Sequence, residues 1–351
     1  MKIYGIIKEK SRGPKMQISF FDESNRRQKL SQLGDCLEQL NAIVNWQIFV
    51  PVLDRAIPRT DNGKGGRPPF SNLLMFKILV IKRLFNLSLD QTEYQINDRI
   101  SFMRFLGFGI EDRVPDAKTI WLYEDLLSKS EAGKEIFDLF FEAIAEKGYI
   151  TKAGSIVDAT FIEAPKRKNT KEQRETLKKG EIPEEWADPE HPQKLMQRDT
   201  DATWTMKGNE AHFGYKDNVK VDLDSKIIMD FRVTTASTND VKAAEGIFNK
   251  DDKVAYGDAA YPSIELPEGV LNMISEKANR NHPMTEEQRL NNHQKAKLRC
   301  RVEHVFAGMV KMTGGTNIRC KNLSRATFSI SMMNLLYNMR RVIILNRMRT
   351  A

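Results

Sequence analysis

Cysteine is scarce in this chain of 351 residues, which contains three cysteines and five histidines. Cys36, Cys300 and Cys320 lie far apart and form no Cys-x-x-Cys pair, which argues against a disulfide framework and against a structural zinc site. The histidines show no His-Glu-x-x-His arrangement, so that zinc-binding motif is absent from the sequence as well. This use of cysteine fits a reducing cytoplasm.

Long hydrophobic runs are also missing. The most apolar stretch, residues 73–87, is interrupted by Lys77, Lys82 and Arg83, so it does not qualify as a membrane-spanning segment. The first residues of the sequence include no long apolar segment, and we therefore expect no secretory signal. We expect no association with a membrane.

Positive charge is in surplus, because 55 lysines and arginines stand against 47 aspartates and glutamates, which gives a formal net charge of +8. This balance favours a polyanionic partner or an acidic membrane surface. The hydrophobic content of 40% and the charged content of 29% are typical of a soluble globular protein. The length allows either two domains or one large domain with additions.

The first 150 residues predict a basic arm followed by helices. Residues 1–30 are polar and basic with little periodicity, which is typical of a flexible arm. Ser88 and Gln91 match a capping box, and Asp116 is a suitable N-cap, so each marks the start of a helix. Together with the helical spacing of apolar residues, these signals predict helices over residues 30–53, 71–85, 89–99, 117–129 and 134–147.

These helices fit a helix-turn-helix that reads a DNA groove, and they fit a helical bundle without a ligand equally well. A glycine- and proline-rich basic loop spans residues 59–69, but no Gly-Lys-[Ser/Thr] sequence there opens a helix, so it is not a phosphate-binding P-loop. The loop fits either contact with a DNA backbone or a plain linker. We expect residues 31–150 to form a helical amino-terminal DNA-binding domain.

The pattern then changes to alternation and short apolar runs. A strand over 154–162 carries Asp158 in its interior, where aspartate is disfavoured. The elements predicted after it are a hairpin over 212–221 and 226–235, a helix over 240–248, strands over 253–257 and 270–274, and helices over 285–312 and 323–349. Residues 163–210 are polar and proline-bearing, and so long an insert is either disordered or functional. We expect a catalytic domain over 151–322, on which the carboxyl-terminal residues 323–351 pack.

Three acidic residues occupy distinctive positions in this pattern. Asp158 lies on the first strand, Asp258 directly follows a buried strand, and Glu303 lies on the long helix. Taken singly, Asp258 fits a turn residue and Glu303 fits a solvated helix face. A mixed sheet of three antiparallel strands followed by parallel ones, however, describes the ribonuclease-H-like fold. In that fold the first strand, the end of the fourth strand and a late helix bring three carboxylates together.

Clustered carboxylates suit the cleavage of phosphodiester bonds. Two Mg²⁺ ions about 3.5–4 Å apart can activate a water molecule and stabilise the leaving oxygen. Mg²⁺ prefers oxygen ligands and keeps several waters, so a few aspartate or glutamate side chains are sufficient to bind it. The cations also offset the repulsion between neighbouring carboxylates.

The sequence closely resembles the DDE transposases of bacterial insertion sequences, of the insertion-sequence-five type. The matching stretches are residues 157–165 (Val-Asp-Ala-Thr-Phe-Ile-Glu-Ala-Pro), 212–216 (His-Phe-Gly-Tyr-Lys), 233–240 (Val-Thr-Thr-Ala-Ser-Thr-Asn-Asp), 256–261 (Tyr-Gly-Asp-Ala-Ala-Tyr) and 299–306 (Arg-Cys-Arg-Val-Glu-His-Val-Phe). They follow the order of the family. The resemblance implies that Asp158, Asp258 and Glu303 are the catalytic and metal-binding residues, with Mg²⁺ as the metal and Mn²⁺ as a possible substitute.

The resemblance also predicts cations near Glu303. The family carries an arginine four residues before the glutamate, which Arg299 matches, and often a lysine seven residues after it, where this chain has Val310. At about 100° per residue, Arg299 lies about 40° from Glu303 around a helix and Lys311 about 80° from it. Arg299 therefore fits a phosphate contact or an ion pair with Glu303. Lys311 fits a DNA contact only if the helix is irregular.

Four further residues are predicted to contact DNA. Lys295 and Arg301 belong to a basic surplus between residues 277 and 325, which fits a phosphate-binding surface or a solvated helix face. His304 fits a group that orients a phosphate or a water, and it fits a packed histidine equally well. Tyr261 fits a DNA contact or core packing, of which packing is favoured.

A protein of this type is expected to bind the terminal inverted repeats of an insertion sequence and to catalyse metal-dependent DNA cleavage and strand transfer. Its partners would be double-stranded DNA of the repeats and of the target, and a second copy of the chain in a dimer or larger synaptic complex. Its expected location is the bacterial cytoplasm, associated with the nucleoid. The alternatives are a transposase-derived regulator that binds DNA without cutting it, and a carboxylate-pair hydrolase of sugars.

Overall fold

The computed structural model describes residues 22–58, 68–166, 169–261, 263–278 and 283–350. The first 21 residues of the predicted arm and residues 59–67 of the predicted basic loop lie outside these ranges, so neither prediction is tested there. Within the described ranges, no helix combines the length and the apolar character needed to cross a membrane.

The amino-terminal part is helical, as predicted. Ser88 and Gln91 form the expected capping box, and Asp116 accepts a hydrogen bond from the backbone N–H of Thr119 at 2.7 Å. The short helix α6 was not predicted. The helices are α1 (Asp22–Leu33), α2 (Cys36–Ile43), α3 (Val50–Ala56), α4 (Asn72–Leu84), α5 (Leu89–Asp98), α6 (Ile100–Leu106), α7 (Ala117–Lys129) and α8 (Ala132–Glu146), with a 3₁₀ turn at Trp46–Phe49.

Helix α1 corrects the arm predicted over residues 1–30, because the chain is helical from Asp22 onward. This helix has no apolar stripe, which is why hydrophobic periodicity does not reveal it. Arg104 holds it instead, since its guanidinium donates hydrogen bonds to the carbonyl of Arg27 at 3.2 Å and to the Ser31 hydroxyl at 2.8 Å. The same guanidinium forms an ion pair with Asp35 at 2.6 Å.

A six-stranded mixed sheet follows in the order β2-β3-β1-β5-β6, with β4 also paired to β3. Strand β3 is antiparallel to β1, β2 and β4, whereas β5 is parallel to β1 and to β6. The predicted succession of three antiparallel strands and then parallel strands is therefore present, and β2 is an addition from the insert. The strands are β1 (Ser155–Glu163), β2 (Thr203–Lys207), β3 (Glu210–Asp222), β4 (Ile228–Thr235), β5 (Val254–Gly257) and β6 (Leu271–Ile274).

The polar insert is folded in its described residues, so the alternative of disorder is wrong for them. Trp186 is 3% exposed, and the guanidinium of Arg198 lies 4.8 Å from the centroid of its ring. The hydroxyl of Tyr215 on β3 donates to Asp199 of the insert at 2.8 Å. A single buried tryptophan and polar contacts hold this segment, which explains why its composition resembles that of a disordered chain. Besides β2, it contains α9 (Lys171–Lys178) and α10 (Gln193–Met196).

The long helix predicted over 285–312 is in fact two helices, α12 (Glu286–Arg299) and α13 (Arg301–Thr313). Cys300 separates them with φ −58° and ψ −10°, and the backbone N–H of Glu303 donates to the carbonyl of Cys300 at 3.1 Å. This tighter, 3₁₀-like turn interrupts the regular ladder. Neither proline nor glycine lies near position 300 to signal it. Helix α11 (Asp240–Ala243) is likewise shorter than predicted.

The carboxyl-terminal helix, α14 (Leu323–Thr350), packs on both the sheet and the amino-terminal helices. Asn338 forms two hydrogen bonds with the backbone of Ile228 on β4, at 2.8 and 2.9 Å. Arg325 donates to Asp125 on α7 at 2.6 and 2.8 Å. One continuous hydrophobic core joins the helical part and the sheet, so α14 also packs on the amino-terminal helices, which the prediction did not include.

Gly214 permits the close approach of β3 to β1 at the end of the sheet. Its φ of +149° is one that side-chain-bearing residues rarely adopt. A Cβ atom at this position would lie 2.2 Å from the carbonyl oxygen of Ile162 and 2.7 Å from the backbone nitrogen of Ala164. The glycine of the 212–216 motif is thus required by backbone packing.

Candidate active site

Asp158 lies in the middle of β1, and its side chain is only 16% exposed. Its Oδ1 accepts a hydrogen bond from the backbone N–H of Ala159 at 2.8 Å, and its Oδ2 accepts one from Nη1 of Arg299 at 3.1 Å. Burial raises the pKa of Asp158 to about 6, and the nearby charge of Asp258 also raises it. The strand therefore presents a carboxylate whose negative charge is poorly solvated.

Asp258 follows β5 directly, at the carboxyl end of that parallel strand. The parallel register pairs Ser155 with Ala255 and Ile156 with Tyr256, so Asp158 and Asp258 both come two residues beyond the last paired position. The Oδ1 of Asp258 accepts a hydrogen bond from the backbone N–H of Ala260 at 2.8 Å, which fixes the turn after the strand. Sheet pairing thus brings the two aspartates to one edge.

Glu303 lies in the first turn of α13, with a side chain that is 61% exposed. Arg299 connects it to the sheet, because Nη2 of Arg299 lies 3.6 Å from Oε1 of Glu303 while Nη1 contacts Asp158. The sequence left open whether Arg299 contacts a phosphate or pairs with Glu303, and the structure has the ion pair with Glu303. The same guanidinium also binds Asp158, a contact that helical geometry alone does not predict.

The Arg299 guanidinium joins two of the three carboxylates, Asp158 and Glu303, and Asp258 lies near Asp158, but the three do not form a closed ligand cage. Within the described residues, no three Asp, Glu, His or Cys side chains are arranged as a metal site. The set of donors nevertheless fits a hard divalent cation, since all are carboxylate oxygens. Asp158 and Asp258 repel each other, and Arg299 already supplies a positive charge at this place. Asp158, Asp258 and Glu303 are the residues that could hold such an ion.

Lys295 and Arg301 are engaged by the protein itself. The ammonium of Lys295 on α12 donates to the carbonyl of Ile274 at 2.9 Å, at the end of β6. The guanidinium of Arg301 on α13 donates to the carbonyl of Leu223 at 3.1 Å and to Asp224 at 2.5 Å. Both residues fix helices to the sheet, so contact with DNA would require these bonds to be exchanged.

His304 and Lys311 are both exposed on α13. Nδ1 of His304 lies 2.7 Å from the ammonium of Lys226, in the turn between β3 and β4. His304 is therefore at the surface and is not a packed core histidine. Lys311 lies in the last turn of α13. For both residues, the predicted DNA contact stays a prediction.

Tyr261 does not reach the surface. It is 2% exposed and belongs to a small hydrophobic cluster that also includes Val157, Phe248 and Ile274. The predicted DNA contact of Tyr261 is corrected accordingly, because its ring is enclosed and packing accounts for it. Val157 belongs to this cluster and Ile156 to the main core, so adjacent residues of β1 face opposite sides of the sheet.

Two features near the site were not predicted. The positive charge of Lys207, at the end of β2, lowers the pKa of Asp158 and therefore lies in its vicinity. Nothing in the sequence indicates this, because the pairing of the insert strand cannot be read from a polar segment. Nδ1 of His212 lies 2.8 Å from Oε1 of Glu163, within hydrogen-bond distance. This contact links the 157–165 and 212–216 motifs. The His212 ring stacks on Phe161 at 4.2 Å.

Comparison with known proteins identifies the family of the chain. A family model described as Transposase DDE domain matches residues 150–339, and one described as Transposase domain (DUF772) matches residues 24–125. The chain therefore belongs to the DDE transposases. It is a transposase enzyme, in a family that uses divalent metal ions. The predicted membership is confirmed, whereas the insertion-sequence-five type stays a prediction.

A solved structure with some similarity is entitled "Cryo-EM structure of piggyBac transposase synaptic complex with hairpin DNA (SNHP)". The sequences are 11% identical, and the alignment covers 90% of this chain and 74% of that chain. The TM-score is 0.42, which is too low to establish a common fold.

Proposed function

We propose that this transposase binds the terminal inverted repeats of its own element and catalyses DNA cleavage and strand transfer at Asp158, Asp258 and Glu303. The observation that carries the proposal is the convergence of three distant parts of the chain. Arg299 contacts Asp158 of β1 and Glu303 of α13 at 3.1 and 3.6 Å, and Asp258 lies close enough to raise the pKa of Asp158. The strand order supports a ribonuclease-H-like catalytic domain.

In this proposal, Asp158 and Asp258 flank the metal site and Glu303 completes it. Two Mg²⁺ ions, or Mn²⁺ in their place, would supply an activated water and a stabilised leaving oxygen when bound. Asp158 holds a carboxylate in a partly water-excluded place, where its attraction for a cation is strong. Arg299 is positioned to leave its carboxylate partners and contact a phosphate of the DNA, since a guanidinium binds both groups in the same way.

DNA recognition is assigned to the amino-terminal helices, and the surplus of positive charge supports a polyanionic partner. Because two ends of the element must be joined, we propose a homodimer or a larger synaptic complex. The enzyme would act in the bacterial cytoplasm at the nucleoid, where its DNA substrate lies.

The test is cleavage of labelled DNA carrying an end of the element, with and without Mg²⁺ or Mn²⁺. Asp258→Asn should reduce nicking by about 10³-fold or more, because a metal-holding carboxylate supplies several kcal/mol of transition-state stabilisation. Asp251→Asn is the matched control, because Asp251 is exposed in the loop before β5. The Asp251→Asn protein should cleave DNA like the wild type. Normal nicking by a folded Asp258→Asn protein would refute the proposed triad.

The alternative is a transposase-derived regulator that binds ends without cutting them. The contact of Arg299 with both Asp158 and Glu303 gives this alternative a physical basis, because a guanidinium that stayed there would compete with a metal ion. Tight binding of end DNA by the wild type, together with no nicking in Mg²⁺ or Mn²⁺, would favour the regulator.

A further inference from the structure

A cavity of about 390 Å³ lies between the amino-terminal helices and α14, apart from the three carboxylates. It is bounded by the end of α4, the start of α5, one side of α7 and the segment that connects α13 to α14. The charged residues that line it are five cations, Lys82, Arg83, Arg319, Lys321 and Arg325, and three carboxylates, Asp90, Glu124 and Asp125.

Two of the cations are neutralised within the protein. Lys82 donates to both carboxylate oxygens of Glu124, at 2.7 and 2.8 Å. Arg325 donates to Asp125 through two nitrogens, at 2.6 and 2.8 Å. These pairs leave Asp90 as the remaining carboxylate of the lining and three cations without an opposite charge in contact.

Arg83 is the most unusual of these three cations. Its Nε and Nη2 are buried and have no hydrogen-bond partner among the described residues. Burial lowers the pKa of Arg83 to about 10, so the guanidinium stays charged at neutral pH. Burying two nitrogens of a charged group without hydrogen bonds is costly, so such atoms call for an explanation, and a bound anion is one.

Arg319 and Lys321 stand beside Arg83 on the segment between α13 and α14. Nη2 of Arg319 donates only to the backbone carbonyl of Asn86 at 3.2 Å, and Nζ of Lys321 to that of Met196 at 3.4 Å. Neither forms an ion pair with a carboxylate in the described part of the chain. Two guanidinium groups and an ammonium group thus converge on one cavity, which is the donor set that proteins use to bind phosphate.

The cavity is fixed to the strand that carries Asp158. The backbone N–H of Glu163, the last residue of β1, donates to Thr316 at 3.1 Å, and that of Ile318 donates to Glu163 at 3.0 Å. Asp158 comes five residues before Glu163, a distance of about 17 Å along a strand. Duplex DNA rises 3.4 Å per base pair, so about five base pairs span that distance.

We propose that this cavity binds a phosphate of the DNA backbone remote from the bond that is cut, with Arg83 as the central ligand and Arg319 and Lys321 at its rim. The proposal rests on the proposed function, because DNA is the source of the phosphate. A free phosphate or nucleotide would offer the same chemical group, so the experiment includes both sources.

The experiment measures the affinity for duplex DNA carrying an element end, by fluorescence anisotropy without divalent ions, over a series of salt concentrations. Arg83→Gln tests the central ligand, and the double variant Arg319→Ala/Lys321→Ala tests the rim without altering the buried position. Both should bind about tenfold more weakly, and the slope of log K against log salt should become shallower by about 0.9 for one lost phosphate. Arg340→Ala, an exposed cation on α14 outside the cavity, should match the wild type.

A calorimetric titration of the wild type and of both cavity variants with inorganic phosphate accompanies these measurements. If both cavity variants bind DNA with the wild-type affinity and salt slope, the inference is overturned. If the wild type then binds inorganic phosphate and the two variants do not, the cavity is assigned to a free phosphate. Failure of the wild type to bind any DNA would overturn the proposed function together with this inference. Normal DNA binding by the wild type and by both cavity variants would overturn the inference alone.

Discussion

The candidate active site and the Arg83 cavity have opposite imbalances of charge. At the active site, the guanidinium of Arg299 contacts a carboxylate of β1 and one of α13, and the carboxylate that follows β5 lies near enough to raise the pKa of Asp158. In the cavity, two nitrogens of Arg83 are buried without a hydrogen-bond partner among the described residues, and Arg319 and Lys321 donate to backbone carbonyls. A cation would complete the first region and an anion the second. DNA with its divalent ions supplies both, so one substrate could satisfy the two regions.

The largest effect is expected where the strand that carries Asp158 is disturbed at its carboxyl end, opposite Gly214. Gly214→Ala would place a Cβ atom 2.2 Å from the carbonyl of Ile162, so β3 must separate from β1. We expect a loss of about 3 kcal/mol or more in the free energy of unfolding, because both the close contact and the positive φ oppose a side chain. Chemical denaturation measures this loss.

Gly208→Ala is a control for the effect of conformation alone. Gly208 also has a positive φ, but no atom lies within 4 Å of the position of its Cβ. The Gly208→Ala protein should therefore lose only about 1 kcal/mol of its free energy of unfolding. Equal losses in the two variants would show that the close approach of β1 and β3 is not what position 214 requires.

The second prediction concerns Asp217, a buried carboxylate that, unlike Asp158, has no cation in contact among the described residues. Asp217 is 0% exposed and accepts one hydrogen bond from Asn334 at 3.1 Å, and its Oδ2 has no hydrogen-bond partner in the described part of the chain. Burial raises the pKa of Asp217 to about 7, above the value of about 3.9 expected in the unfolded chain. The folded state thus binds this proton more tightly, and the resulting stability is full below about pH 4 and lost as the pH rises to about 7.

Asp217→Asn should remove this pH dependence. Between pH 4 and pH 7, the free energy of unfolding of the wild type should fall by roughly 2–4 kcal/mol relative to that of the variant. An amide at this position could also donate to Oδ1 of Asn334, which has no partner. Urea denaturation of both proteins at the two pH values measures the difference. Parallel pH profiles would contradict the assignment of a proton to buried Asp217.

The smallest predicted effect concerns Arg299 at the candidate active site. Arg299→Gln removes the cation that contacts Asp158 and Glu303, so divalent ions should bind this place more readily in the absence of DNA. We expect Mn²⁺ to bind the variant more tightly than the wild type by about 1 kcal/mol of binding free energy. Mn²⁺ should therefore raise the melting temperature of the variant further than that of the wild type.

Arg301→Gln is the matched control for that experiment. Arg301 lies on the next helix and pairs with Asp224, outside the triad, so its removal should leave the response to Mn²⁺ at the wild-type level. An equal response in all three proteins would show that Arg299 does not compete with the metal.

Local signals in the sequence predicted much of the fold. Ser88 and Asp116 cap helices that begin where expected, because capping depends on a few neighbouring residues. The break at Cys300 and the helix α1 were not predictable in this way. Helix α1 depends on Arg104, which is distant in sequence, and the turn at Cys300 has no proline or glycine to mark it.

For the candidate site, the sequence predicted residues but not their geometry. The motifs identified Asp158, Asp258 and Glu303, since their order along the chain follows the order of the elements. The side-chain contacts depend on tertiary packing, which enclosed Tyr261 and occupied Lys295. Arg83 was not predicted either, because in the sequence it is one of three cations that interrupt an apolar stretch, and the cavity that it lines forms from parts of the chain that are distant in sequence.

The most direct measurement is the position of Mn²⁺ in a crystal of the protein bound to an element end, located by its anomalous scattering. The account predicts Mn²⁺ within about 2.0–2.3 Å of carboxylate oxygens of Asp158 and Asp258, with Glu303 at the same site and Arg299 moved toward a phosphate. Mn²⁺ bound elsewhere, with Arg299 still joined to Asp158 and Glu303 beside an uncut DNA end, would contradict it.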